Sequence, residues 1–186
     1  MRITKPSKRH RSPYEEIEIR KLPQRKPYRL IGYDYSKNGA YFITICVKNR
    51  AHIFGHIEPA VGARIARPRL NETGHIVEKA INTIHHNYPC VMVDCYVIMP
   101  NHIHMMLVIT CDNGRAMRAP TISTVINQMK GYITKQIGFS PWQKLFHDHV
   151  IRNEKDYRCI AEYIDQNPTQ CQEDCFYNSG KENPID

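Results

Sequence analysis

The sequence carries His102-Ile103-His104 inside a run of apolar and β-branched residues. Alternate side chains of an extended strand share a face, so both imidazoles stand side by side while Ile103 turns to the core. Their Cα atoms are then roughly 6–7 Å apart, close enough for two rings to converge on one divalent cation. Taken alone, the triplet occurs often by chance and more commonly describes two half-exposed strand histidines.

A second set of candidates lies near the C-terminal end. Residues 153–167 read as a helix, with Asn153 as its cap, Glu154 and Asp156 in the first turn, and a stop enforced by Pro168. At about 100° per residue, Tyr157, Ile160, Ala161 and Ile164 cluster on one stripe, which is the buried one. Tyr163 and Asn167 are neighbours at i, i+4 beside that stripe, so a phenol and an amide are presented together at one edge. Each also has a plain structural role, Tyr163 as a boundary aromatic and Asn167 as a C-cap. His147-Asp148-His149 is another His-x-His, but its central residue is an acid, which favours a rim or structural role over a second metal site. Lys130, Arg152 and Lys155 are candidate phosphate contacts, with a solvated helix face as the alternative.

The elements needed to position these groups are legible in order. Residues 40–47, AYFITICV, follow the turn signal Ser36-Lys37-Asn38-Gly39 and read as a strand. Residues 59–69 form a Pro/Gly/Arg-rich loop, and residues 71–86 a helix with Ile76, Ala80, Ile81 and Ile84 at helical spacing. Two strands, 91–98 and 102–109, are joined at Met99-Pro100-Asn101. Residues 111–120 are a second Gly/Arg/Pro loop that weakly echoes the first. A helix opened by Thr121 runs to about Ile137 with Ile122, Val125, Ile126, Met129 and Ile133 inward and Lys130 and Lys135 outward. Residues 142–152 then read as a last β segment. The order βαββαβα predicts an α+β fold: a ferredoxin-like antiparallel sheet (βαββαβ) with helices on one face, plus a C-terminal helix.

The 186 residues suffice for one domain, and the 41% hydrophobic content supports a packed core. The formal charge of +8 is concentrated. Residues 1–29 hold ten Lys/Arg against three Glu, leaving that arm at +7 and everything after it at +1. With Pro6, Pro13, Pro23 and Pro27 it reads as a flexible basic arm suited to a polyanion, nucleic acid above all. The basic N-terminus has no apolar segment behind it, and no apolar run is long enough to span a membrane, so no membrane partner and a cytoplasmic, nucleoid-associated location are expected. Seven cysteines fit no disulfide framework and no paired zinc knuckle. Cys46 and Cys95 sit in apolar stretches as core residues, Cys171 and Cys175 read as free thiols or metal donors, and a reducing compartment is the consistent one.

Three stretches carry a resemblance: Tyr96-Val-Ile-Met-Pro-Asn-His-Ile-His104, His147-Asp-His-Val-Ile-Arg-Asn153 and Ala161-Glu-Tyr-Ile-Asp-Gln-Asn-Pro168. Together with Leu30-Ile-Gly-Tyr-Asp-Tyr35 and Gly39-Ala-Tyr-Phe-Ile-Thr44, they resemble the REP-associated tyrosine transposases, in the single-tyrosine branch of the His-hydrophobic-His superfamily. The match covers about residues 29–168, so residues 30–168 are read as the catalytic domain, 1–29 as the arm and 169–186 as a tail. The resemblance implies that His102 and His104 bind a divalent metal, Mg²⁺ or Mn²⁺, that Asn167 completes that site, and that Tyr163 is the nucleophile. It further implies cleavage of single-stranded DNA beside hairpins through a 5′-phosphotyrosine intermediate, by a monomer or a homodimer. A hairpin-binding protein of the same fold without turnover is the alternative, and a zinc hydrolase would need a third His or Glu. The sequence has no GxxxxGK[ST] loop and no acidic cluster of the two-metal nuclease kind.

Overall fold

The computed structural model describes residues 32–58, 67–111 and 120–170. The basic arm, most of both Gly/Arg loops, Cys171, Cys175 and the tail from residue 171 onward lie outside the described residues.

Strand β1 (Gly39–Cys46) is central, flanked by β5 (His102–Ile109) and β6 (His147–Ile151), with β4 (Val91–Met99) outside β5. The order β4-β5-β1-β6 is antiparallel at every pairing, which is the ferredoxin-like arrangement that the element order predicts. Alternation in β1 and β5 divides the core in two. Tyr41, Ile43, Ile45, Ile103, Met105, Leu107 and Ile109 face helices α1 (Glu72–Asn82) and α3 (Ile122–Ile137). On the opposite face Met106, with Val97 and Met99 of β4, packs against Ile164 of α4 (Glu154–Gln166). Strand β5 is therefore covered on both sides, which explains why it reads as an unbroken apolar run around its two histidines.

Four expectations are corrected. The helix read over 71–86 breaks at Thr83 into α1 and a one-turn α2 (Ile84–Asn87). The Thr83 hydroxyl donates to the carbonyls of Lys79 and Ala80, and such back-bonding competes with the helical ladder. Residues 67–69, read as loop, belong to β3 (Arg67–Leu70), which forms a two-stranded ribbon with β2 (Gly55–Glu58). A ribbon edge tolerates Pro68, whose missing N–H a central strand would not. Gly55 is required there, because at φ 142° a Cβ would fall 2.0 Å from the Arg69 carbonyl oxygen. Of the β segment read over 142–152, only residues 147–151 join the sheet, while Trp142 makes an isolated bridge to Val47. Finally, Cys90 and Cys111 form a disulfide, their Cα atoms 4.9 Å apart. Their separation of 21 residues matches no short motif, but the pairing of Val91 with Ile109 sets Cys90 beside Thr110, whose N–H donates to the Cys90 carbonyl, and so brings Cys111, the next residue, within reach.

Candidate active site

The site is built on the face of the sheet covered by α4. The β5 alternation sends His102 and His104 to that face, where both are fully buried with ring centroids 4.6 Å apart. Register then supplies each imidazole with a partner. Thr44, directly opposite His104 on β1, places its hydroxyl 2.8 Å from His104 Nδ1. Asn101 places Oδ1 2.7 Å from His102 Nδ1. Because Asn101 Nδ2 donates to the Arg50 carbonyl at 3.2 Å, the amide oxygen is the end that faces the imidazole. It accepts from Nδ1–H, which leaves the lone pair of His102 on Nε2.

The carbonyl that anchors Asn101 lies in an uncommon backbone. Asn49 and Arg50 both have positive φ, 55° and 53°, in the short 3-10 turn after β1. Val47 N–H donates to the Asn101 carbonyl, and the Ile53 and Phe54 N–H groups donate to that of Pro100. The 47–54 segment is thus tied to the β4–β5 turn, and the turn holds the histidines.

Helix α4 brings the phenol. Asn153 caps it by accepting from the Asp156 N–H, and His149 Nε2 lies 2.9 Å from Asp156 Oδ2, fastening its first turn to β6. That hydrogen bond is the main cause of an Asp156 pKa below its ordinary value. His147 is exposed on the same edge strand. The stripe of Tyr157, Ile160, Ala161 and Ile164 packs on the sheet as its periodicity predicts. Tyr163, beside that stripe, sets its hydroxyl 3.3 Å from His104 Nε2. Its ring meets His104 edge-on at 5.2 Å and Phe42 at 6.0 Å, while Phe42 stacks on His104 at 5.3 Å, so the three rings form one cluster. Asn167, the C-cap of α4 one turn beyond Tyr163, has its side chain buried.

The two tyrosines of α4 differ in environment. Tyr157 bonds to the Asp94 carboxylate, which with burial pushes its pKa up to about 12. That tyrosine is a poor source of phenolate, and the β-bulge between Val93 and Cys95 lies where its partner sits.

Of the three cationic candidates, Arg152 and Lys155 are exposed at the start of α4. Lys130 is not on a solvent face as its helix position was read. It is 8% exposed, and its ammonium donates to the Gln143 carbonyl at 2.9 Å. Lying four residues after Ile126 and three before Ile133, it falls on the apolar stripe itself, which burial confirms. Asn101, Thr44 and Phe42 are the contacts that sequence reading did not single out. Asn101 adjoins the triplet and was visible as a polar residue in an apolar run, whereas Thr44 and Phe42 depend on cross-strand register.

Two buried imidazoles with engaged Nδ1 atoms, a phenol oxygen beside one Nε2 and a buried amide nearby suit a divalent cation of intermediate hardness. Among the described residues no group of three or more His, Cys, Asp or Glu could hold a metal. Among the described residues, further donors to a cation there would be amide, phenol, phosphate or water oxygens, which does not match the usual zinc hydrolase set.

A ferredoxin-like sheet with a buried histidine pair, capped by a tyrosine-bearing helix, defines the class of protein. No family model matches the chain. It is 34% identical over 176 residues to an uncharacterized protein of Haemophilus influenzae, a match covering 84% of this chain and 94% of that one. It is 28% identical over 138 residues to a REP-associated tyrosine transposase of Escherichia coli, covering 73% and 70% of the two chains. A solved REP-associated tyrosine transposase, determined bound to a REP hairpin, shares the fold with a TM-score of 0.56 at 24% identity, over 79% of this chain and 74% of that one. The chain is homologous to REP-associated tyrosine transposases and shares the fold of a solved one.

Proposed function

We propose that this protein cleaves and rejoins single-stranded DNA at hairpins, with Tyr163 as nucleophile and Mg²⁺ or Mn²⁺ held by His102, His104 and Asn167. The observation that carries the reading is the Tyr163 hydroxyl at 3.3 Å from His104 Nε2. A phenol that close to a ligand nitrogen lies within reach of any phosphate the pair engages.

The chain's own groups account for positioning. His102 and His104 enter the site with ring orientations already fixed by Asn101 and Thr44, so little order is lost on binding. Phe42 and His104 confine the Tyr163 ring, with its oxygen held beside His104 Nε2. A phenol of ordinary pKa near 10 is ionised to about one part in a thousand at pH 7, so forming phenolate costs about 4 kcal/mol. A divalent ion supplies charge that polarises the phosphate and steadies the departing oxygen, an effect of several kcal/mol. In the cleavage step the Tyr163 oxygen bonds to phosphorus and the bond from phosphorus to the 3′ oxygen breaks. The products are a 5′-phosphotyrosine and a 3′-hydroxyl, which takes up one proton for the one that the phenol gives up. Reversal by another 3′-hydroxyl rejoins a strand without a high-energy cofactor. DNA as partner also suits the sequence's basic arm and places the protein with the nucleoid in the cytoplasm, as a monomer or homodimer.

The test is incubation with single-stranded hairpin DNA and Mn²⁺, followed by a denaturing gel. A mass-shifted adduct with the native protein and none with Tyr163→Phe supports the reading. Hairpin binding with no adduct from either protein would favour a binding module without turnover.

A further inference from the structure

Away from the histidine pocket, a cavity of about 390 Å³ opens where the exit of β1 meets the middle of α3 and the segment after it. Lys48, Lys130 and Lys144 line it with Thr134 and Ser140, and no Asp or Glu does so among the described residues. Its wall is fixed by hydrogen bonds. Trp142 Nε1 donates to the Lys130 carbonyl at 3.1 Å, the Gln143 N–H to that of Cys46 at 2.9 Å, and the Lys48 N–H to that of Pro141 at 2.7 Å.

Two features of this cavity suit an anion, one calling for a counter-charge and the other leaving room for it. The first is the Lys130 ammonium. It has three protons to donate, and its one hydrogen bond among the described residues is to the neutral Gln143 carbonyl. No carboxylate pairs with it among the described residues, although removing a cation from water is costly without a counter-charge. Burial accordingly pulls its pKa below the usual lysine value. The second is Gly131. Glycine weakens a helix interior, yet this one has no positive φ, and a Cβ on it would meet nothing within 4 Å. Neither backbone nor packing requires glycine there, and its effect is to leave that part of the cavity lining bare.

We propose that this cleft binds a phosphate group of the DNA strand, gripped by Lys48, Lys130 and Lys144 with the sugar-phosphate chain passing over Gly131. The inference rests on the DNA reading above and extends it to a second contact surface. Lys48 follows by two residues Cys46, the β-partner of His102, while the cleft opens on the α3 side of the sheet and the histidine pair faces α4, so a DNA strand engaging both passes round the end of β1.

The full chain is titrated with a fluorescent hairpin oligonucleotide bearing a single-stranded extension, without divalent metal, between about 50 and 200 mM salt. Gly131→Met places a side chain in the cleft while improving helix propensity, so it should melt no lower than the native protein and bind DNA roughly tenfold more weakly. The pair Lys48→Ala/Lys144→Ala removes two phosphate contacts. The single-strand salt slope then falls by about 1.4, and the native-to-variant affinity ratio shrinks about sevenfold across that range. Equal affinity and slope in all three proteins would overturn the cleft and leave the histidine–tyrosine reading standing. Titration with inorganic phosphate separates the sources. If native protein ignores DNA but binds phosphate in a way the variants lose, the DNA assignment of the cleft is refuted. If it binds neither, the cleft and the DNA reading both fall.

Discussion

Asn101→Ala is the perturbation that most sharply separates a prepared histidine pair from two histidines that merely share a strand. Asn101 is 1% exposed and bridges the Arg50 carbonyl and His102 Nδ1, so truncation removes two hydrogen bonds at once. Arg50 is exposed and its carbonyl can turn to water, whereas His102 Nδ1 lies in the interior. One buried donor left without its partner costs about 1–3 kcal/mol, and loss of such support to a metal ligand typically weakens metal binding 10–100-fold. Calorimetric titration with Mn²⁺ reads the affinity, and ¹⁵N chemical shifts of His102 in metal-free protein read the tautomer. The native protein should show Nδ1–H, Asn101→Ala a mixture, and Asn101→Asp, which keeps the acceptor, the native tautomer. Unchanged Mn²⁺ affinity in Asn101→Ala, with its His102 still wholly Nδ1–H, would refute this reasoning.

Ile164→Ala should cost about 2–4 kcal/mol in urea unfolding, because this buried residue seals α4 onto Val97, Met99 and Met106, and it should reduce adduct formation by loosening Tyr163. The disulfide encloses 21 residues of separation, so Cys90→Ser should lower stability by about 3 kcal/mol under oxidising conditions and abolish the response of the melting temperature to dithiothreitol. Asp156 has a folded pKa below its ordinary 3.8, so its bond to His149 adds stability that is present above that value and lost as pH falls through the lower folded one. Urea midpoints measured from pH 6 to pH 2 should show that component in the native protein and lack it in Asp156→Asn.

What the sequence made legible was local. The stripe of Tyr157, Ile160, Ala161 and Ile164, and Tyr163 beside it, follow from helical period alone, and His102 and His104 from strand alternation. The parts that were not legible depend on pairing between distant segments. Nothing near Thr44 announces that register will set it against His104, and nothing near Cys90 announces Cys111. The ribbon of β2 and β3 was hidden for the opposite reason, since Pro68 and its Arg neighbours carry the composition of a loop. Lys130 was misplaced because its charge outweighed its position on the stripe, and burial in the wall of a basic cleft resolves that conflict.

The central claim is that the phenol beside the histidine pair is the group that takes the DNA. Peptide mass spectrometry of the covalent product formed with hairpin DNA and Mn²⁺ tests it directly. A 5′-phosphorylated nucleotide is expected on Tyr163 and none on Tyr157, whose phenol the neighbouring Asp94 carboxylate and burial keep protonated. A nucleotide mapped to Tyr157, or to any residue other than Tyr163, would contradict it.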